Sequence, residues 1–416
     1  FYELSTIICH LTSNNYHLTS LMNTRQLFLS HLAQTSPAPI GIEMVKAEGI
    51  YLYDVDGKQY IDGISGFSVA NIGHSNPLVI EAVQQQAQQY MHLIVYGEFI
   101  QQPQVAYAKK LIDYLPQSLN CVYFTNSGAE ATEGAMKLAK RVTGRTKIIS
   151  FNKSYHGSTQ GALSVMGDEY WRNSFRPLLP EVYHYNYGSN EALAAIDSSI
   201  ACVIMETVQA EAGVIAPSKE WIQAIRKKCN EHCVLLILDE IQCGFGRTGS
   251  LWAFEQFDII PDVLLLGKAL GGGMPMGAFI AHQSLMSTLT NNPVLGHITT
   301  FGGHPVSCAA GKAAFEFLVA EKCYNSVQEK ITILLKMLKH PAIQSINHCG
   351  LWMAIEFSNF ETNHAIIQQC IAKGLITDWF LFAPNCMRIA PPLIVTHQQI
   401  ETIGNIILES IAEVVK

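Results

Sequence analysis

Residues 234–249, VLLILDEIQCGFGRTG, and residues 262–277, DVLLLGKALGGGMPMG, decide how this chain folds. Residues 234–238 and 263–266 are apolar throughout. Unbroken apolar runs of this length are expected of strands covered on both faces, as in a parallel sheet flanked by helices. Each run ends at an ionisable group: Asp239 follows the first, and Lys268 follows the second after Gly267. In open α/β sheets, ligands bind outside the carboxyl ends of the strands. One carboxylate and one amine are therefore expected to project from neighbouring strand ends into a single crevice.

Outward from this pair, short apolar runs alternate with helical periodicity. Strands are expected at 121–124, 147–151, 201–206, 234–239, 263–266 and 278–281, with helices at 129–142 and 221–231. That alternation predicts an α/β fold: a mostly parallel central sheet with helices on both faces. After Pro305 the pattern changes to two helices followed by strands near 351–357 and 387–389, a smaller α+β unit. Upstream, Asp56-Gly57 between two aromatic-rich arms (50–62) is a hairpin signal, and 77–93 reads as a helix. The expected organisation is a large domain at 77–306 and a small domain built from 22–76 and 307–416. Residues 1–21 are polar and begin without Met, so an extension or tag-like segment ahead of Met22 is expected.

Composition narrows the function. The chain has 416 residues, 49% hydrophobic, enough to bury a large core in two domains. A net charge of -7 with no Lys/Arg cluster argues against a nucleic-acid partner. No apolar run approaches the ~18–20 residues of a membrane span. The 11 cysteines lack a disulfide framework, which favours a reduced, cytoplasmic protein. Cys229 and Cys233 around His232 do not fit zinc-site spacing and read as core, with Cys233 opening the buried strand. No metal site is expected. His74, in Gly-His-Ser-Asn-Pro, reads as a turn residue.

Asn126-Ser127-Gly128-Ala129-Glu130 follows one strand and opens a helix whose apolar positions are Ala131, Ala135, Leu138 and Val142, with Gly144 placed to end it. Ser127 and Glu130 fit a capping box. The small residues and free backbone N–H groups of such a start also suit a phosphate. Two competing phosphate motifs fail. Residues 244–249 match G-x-G-x-x-G, but four residues intervene after the strand and no long helix follows, so a nicotinamide site is not supported. Gly267-Lys268 lacks the first glycine and the Ser/Thr of a P-loop. Lys268 itself is enclosed between LLL and ALGGG, and burial lowers an amine's pKa as imine formation requires. Asp239 would hold a pyridinium nitrogen protonated. A strand-end Lys, a strand-end Asp and a helix-start phosphate cradle together describe a pyridoxal 5'-phosphate (PLP) site.

At this point the chain resembles the class-III (fold type I) PLP-dependent aminotransferases. The resemblance is carried, in order, by SGAEATEGAMKLAK, SYHG, DEIQCGFGRTG, GKALGGGMPMG, TTFGGHP and MRIAPPL, and it covers about residues 50 to 392. It implies that Lys268 is the Schiff-base lysine and later moves protons, that Asp239 pairs with the ring nitrogen, and that Gln242 reaches the ring hydroxyl. Gly128 and Ala129 would hold the phosphate with Ser127 supporting the turn, and Tyr155 would stack on the ring. Glu206 falls in the cofactor-side segment METVQAEAG, where Thr207 and Ala210 replace the family's Pro and Gly. Thr300 would reach the phosphate of a second protomer, implying a homodimer. Arg388 would receive a substrate carboxylate and pair with Glu211 when empty. The G-x-G-x-x-G match becomes a structural loop.

The departures bear on substrate. Acetylornithine, ornithine and 4-aminobutyrate enzymes carry Arg after the His-Gly; this chain has Ser158. Phe67 stands where ornithine enzymes have Tyr, and His304 replaces the usual Asn. The expectation is a ping-pong aminotransferase acting on an ω-amino acid or amine donor and a 2-keto acid. An acetylornithine or ornithine activity, or another PLP reaction such as an aminomutase, are the alternatives.

Overall fold

The computed structural model describes residues 23–95 and 97–415. The expected extension at 1–21 and the start at Met22 lie outside them. The chain divides into two units: one holds Leu52–Gln59 and the chain up to Ala47, the other Glu48–Tyr51 and the chain from Tyr60 onward. The first unit contains helix α1 (Thr24–His31) and most of strands β1 (Met44–Glu48) and β2 (Tyr51–Asp54). The expected turn at Asp56-Gly57 is present: Asp54 N–H donates to Lys58 O (3.1 Å), and Gly57 takes φ 80°. Strand β3 (Gln59–Asp62) follows.

The second unit begins with helices α2 (Pro77–Gln89) and α3 (Gln102–Ile112). Its centre is a seven-stranded sheet. The strands are β4 (Cys121–Thr125), β5 (Lys147–Phe151), β6 (Val182–Tyr185), β7 (Ile200–Glu206), β8 (Leu235–Asp239), β9 (Val263–Leu266) and β10 (Gly277–Ala281). Their spatial order is β4-β10-β9-β8-β7-β5-β6. The five from β9 to β6 run parallel, and β10 is antiparallel to both its neighbours. The all-apolar runs are explained by two-sided burial. Ile237, Val263 and Leu265 join one core cluster with Ala131, Ala135 and Leu138 of helix α4 (Gly128–Thr143). Leu236, Leu238, Leu264 and Leu266 join the other, with Trp221, Ile222 and Ile225 of helix α5 (Lys219–Glu231).

Three local expectations are corrected. Strand β6 was not anticipated, because VYHY lies at the sheet edge, only partly buried, and lacks the apolar run that marks the inner strands. Cys233 does not open a buried strand. It is exposed, with φ 52°, in the turn that reverses the chain between α5 and β8, while Cys229 is buried. His74 is not a turn residue as expected: its backbone bridges Gly49 between two turns, and its Nε2 pairs with Asp62 Oδ2 at 2.7 Å.

Beyond β10, helices α6 (Pro305–Glu321) and α7 (Val327–Met337) lead to a second sheet. Strand β11 (Ser345–His348) and strand β12 (Met353–Glu356) precede helix α8 (Phe360–Ala372). Strands β13 (Leu375–Ile376), β14 (Asp378–Phe380) and β15 (Ala383–Ile389) then lead to helix α9 (His397–Val414). The second sheet has order β11-β12-β15-β14. Leu375 and Ile376 pair parallel with Ile61 and Asp62, which ties the C-terminal segment to an N-terminal strand. No described helix is long and apolar enough to cross a membrane.

Candidate active site

The carboxyl ends of β8 and β9 and the start of α4 open on one cavity of about 280 Å³. It is lined by Ser127, Gly128, Ala129, Tyr155, Ser158, Glu206, Asp239, Gln242 and Lys268, together with His156, Val208, Ile241 and Cys243 among others. Asp239 and Lys268 thus meet in one crevice, as the strand-end pattern predicted.

Each side chain is held by a traceable cause. Asp239 Oδ1 accepts from Ile241 N–H (2.9 Å), and Oδ2 lies 2.7 Å from His156 Nδ1. His156 is wholly buried. Glu206 is the register partner of Asp239 across β7 and β8, and accepts from Tyr155 N–H (3.1 Å) and Ala210 N–H (2.8 Å). Burial raises its carboxyl to about 7, with Asp239 adding to the rise and His156 opposing it. Lys268 sits at φ 49° after the extended Gly267 and donates to Gln242 Oε1 (2.8 Å). Burial lowers its pKa, although Glu211 and Asp239 pull the other way. A lowered amine pKa enlarges the neutral, nucleophilic fraction.

The helix start differs from the expected capping box. Ser127 Oγ accepts from Glu130 N–H (3.2 Å), but the Glu130 carboxylate bonds to Asn126 N–H (2.8 Å) rather than returning to Ser127. The reason is reach: the strand-to-helix turn places Asn126, not Ser127, against that carboxylate, and the Asn126 amide also donates to it (2.9 Å). The first-turn N–H groups of Gly128 and Ala129 have no intrahelical acceptor, and both residues line the cavity. Bulk is excluded there. A Cβ on Gly128 would lie 2.7 Å from Ile241 Cδ1, one on Gly267 3.1 Å from Ile241 Cγ2, and one on Gly157 2.6 Å from Ala129 Cβ. Ile241 therefore packs against both glycines while its N–H holds Asp239.

A second group gathers on β15. Arg388 donates from Nη1 and Nη2 to the two carboxylate oxygens of Glu211 (2.9 and 2.8 Å), a bidentate pair buried on both sides. Burial alone would raise Glu211, but Arg388 overcomes it and the carboxyl ends below its usual range. Phe67, at φ 63°, places its ring 5.2 Å from the same guanidinium. Ser158 Oγ lies 3.2 Å from Tyr155 Oη at the exposed mouth. Thr300 is exposed and does not line the cavity.

The G-x-G-x-x-G segment proves to be scaffold. Arg247 within it is fully buried and donates to Leu351 O (2.9 Å), Pro391 O (2.7 Å), Ser65 Oγ (3.1 Å) and Asn71 Oδ1 (2.5 Å). Glu240 beside it accepts from Ala253 N–H (2.7 Å), Phe254 N–H (2.6 Å) and Thr207 Oγ1 (3.0 Å).

Comparison with known proteins was decisive. The aminotransferase class-III family model matches residues 32–411. The chain belongs to the class-III aminotransferases. It is 36% identical over 386 residues to an acetylornithine aminotransferase of Methanopyrus kandleri, covering 91% of this chain and 96% of that protein. It is 35% identical to ornithine aminotransferase 1 of Staphylococcus aureus, covering 92% and 98%. Among solved structures, the ornithine aminotransferase of Toxoplasma gondii superposes with a TM-score of 0.87 at 28% identity, covering 96% and 97%. An (S)-enantioselective omega-transaminase of Thermomicrobium roseum gives 0.86 at 26%, covering 97% and 99%.

A class-III aminotransferase uses PLP, and the residues present fit it. The cavity offers a carboxylate, an amine and unpaired first-turn N–H groups at separate positions. His156 Nε2 and Gln242 Nε2 are buried without a partner among the described residues. His156, Gly157, Val208, Ile241 and Cys243 are the cavity residues that sequence reasoning did not assign to the site. The Tyr-His-Gly motif named His156 but not its partner, and Val208 carried no signal beyond being apolar two positions after Glu206.

Proposed function

We propose that this PLP-dependent aminotransferase moves the terminal amino group of an ω-amino acid or amine donor to a 2-keto acid in a ping-pong cycle. The observation that carries the reading is that Lys268 and Asp239 line the cofactor cavity while the buried Arg388–Glu211 pair, close enough for its charges to act on Lys268, lies outside that lining. PLP supplies the carrier of the amino group and the electron sink. Lys268 would hold the cofactor and move protons at the reacting carbon, and Asp239, oriented by His156, would pair with the ring nitrogen. Gly128 and Ala129 bind the phosphate through backbone N–H groups with Ser127 bracing the turn. Gln242, Tyr155 and Glu206 hold the ring and its surroundings. Arg388 takes the keto-acid carboxylate when Glu211 swings away, because a guanidinium binds carboxylates bidentately. Phe67 and Ser158 shape the donor end, where Ser158 stands in place of an arginine.

A second reading, an acetylornithine or ornithine activity, is favoured by the identity of the curated relatives. An amino-donor panel, scored by the change in the cofactor's visible absorption, separates the two. If only ornithine or its acetyl derivative responds, the amine-donor reading is wrong.

The assembly is part of the proposal: a cytoplasmic homodimer in which Thr300 serves the other protomer's phosphate. Exposed Ile100, Phe99, Val294, Ile298 and Phe301 support a covered apolar surface. The division at 77–306 against 22–76 with 307–416 is supported by the parallel pairing of β13 with Ile61 and Asp62. For the cofactor role, Lys268→Ala is expected to cut turnover at least ~10³-fold and to remove the borohydride-sensitive visible band.

A further inference from the structure

We propose that Asp378 is a specificity-determining residue of this enzyme: as a second, fixed carboxylate on Arg388, it weakens that guanidinium's hold on substrate carboxylates. The inference rests on Arg388 being the carboxylate site proposed above.

Arg388 has two acidic neighbours on different edges. Glu211 takes the Nη1/Nη2 end, and Asp378 Oδ1 lies 3.1 Å from Nε. Trp379 O accepts from Nη2 (3.3 Å), and the Phe380 ring lies 4.2 Å from the guanidinium carbon. The two acids differ in how the fold places them, and Glu211 Oε2 also accepts from Leu381 N–H (3.0 Å). Glu211 reaches in from the irregular segment after β7. Asp378 is paired directly opposite Arg388 in the β14–β15 ladder, and Thr377 Oγ1 donates to Arg388 O (2.5 Å). A substrate carboxylate can replace Glu211. Asp378 stays next to Nε when that happens, because the ladder holds its backbone opposite Arg388.

With Glu211 displaced, Arg388 therefore still faces one carboxylate, and an incoming anion meets a largely compensated charge. A donor with no carboxylate at this position pays no such cost. The consequence, among donors, is a bias toward amines over α-amino acids, whose carboxylate must sit on Arg388.

Titration gives the bias a direction. The charged groups facing Asp378 are Arg388, Glu211 and Asp62. Burial raises its carboxyl to about 6, Arg388 opposes the rise, and Glu211 and Asp62 add to it. As pH falls through that value Asp378 takes up a proton, its compensation of Arg388 ends, and carboxylate binding tightens. Glu211, held below its usual range, stays ionised and competes equally throughout.

The test uses the PLP-loaded enzyme and butyrate, which has a carboxylate but no amine or carbonyl. Calorimetry across about pH 5 to 8 is expected to show wild-type affinity rising on the order of tenfold toward the acid end. Asp378→Asn should bind tightly at every pH and raise kcat/KM for L-alanine relative to propylamine. A flat wild-type profile overturns the proposal, even where Asp378→Asn does not fold. So does an Asp378→Asn enzyme with wild-type affinity and wild-type pH dependence. Arg388→Ala separates the premises: unchanged butyrate binding there means that Arg388 is not the carboxylate site at all.

Discussion

At the scale of single residues, the site is a set of charges each bound to a specific neighbour. His156 fixes the orientation of Asp239 through a 2.7 Å contact in a wholly buried position. His156→Leu removes that donor from a buried carboxylate, which costs ~1–3 kcal/mol. PLP is expected to bind roughly 10- to 100-fold more weakly, as read by absorbance titration of the apoenzyme. Asp239 and Lys268 were legible in the sequence because each follows an unbroken apolar strand, so the strand itself announces where the charge projects. The partner of His156 was not legible. It stands 83 positions away, and only the parallel packing of β5, β7 and β8 brings the two together. Asp378 was hidden for the same reason, since nothing in LITDWF shows that it pairs across a ladder with Arg388.

At the scale of elements, strand ends and helix starts do the positioning. Gly157 has φ 123° and no space for a side chain against Ala129. Gly157→Ala therefore pushes on the first turn of α4, and PLP affinity is expected to fall at least ~10-fold without loss of the fold. Equilibrium dialysis against PLP, with circular dichroism as the control, checks both halves. A different element carries a pH dependence. Glu240 is buried, holding the turn at Ala253–Phe257, and burial raises its carboxyl from 4.5 to about 7. Glu206 is raised similarly. Between those values the folded protein binds protons that the unfolded chain has released, so stability falls as pH rises through that window. The melting temperature of the apoenzyme should decline from about pH 5 to pH 7, and Glu240→Gln should flatten part of that slope. The inner strands were readable from composition because two-sided burial demands apolar residues at every position. Strand β6 was not, because an edge strand of mixed burial leaves no such record. The capping box was half right: the serine arm formed, and the glutamate arm went to Asn126.

At the scale of the whole molecule, the question is what covers the apolar residues that the described chain leaves exposed. Ile100 is 96% exposed, and Phe99, Val294 and Phe301 are each more than half exposed. Under the homodimer proposal these residues are buried against a second copy. Ile100→Asp is then expected to shift sedimentation from dimer toward monomer and to lower activity in proportion, because Thr300 would no longer reach the other site. Sedimentation velocity at several concentrations decides it: an unchanged dimer in that variant, or a monomeric wild type, removes the assembly from the proposal.

One small contact has a wider meaning. Ile241 lies against both Gly128 and Gly267, and its N–H holds Asp239. Under the proposed function, one side chain thus wedges together the segments that would anchor the phosphate, the ring nitrogen and the aldehyde, while Phe67, Glu211, Asp378 and Arg388 lie outside the cavity's lining. Selection or engineering can therefore alter which amine the enzyme accepts without loosening its grip on the cofactor. Changes at Ile241 would shift all three anchors at once, without a direct contact to the substrate end.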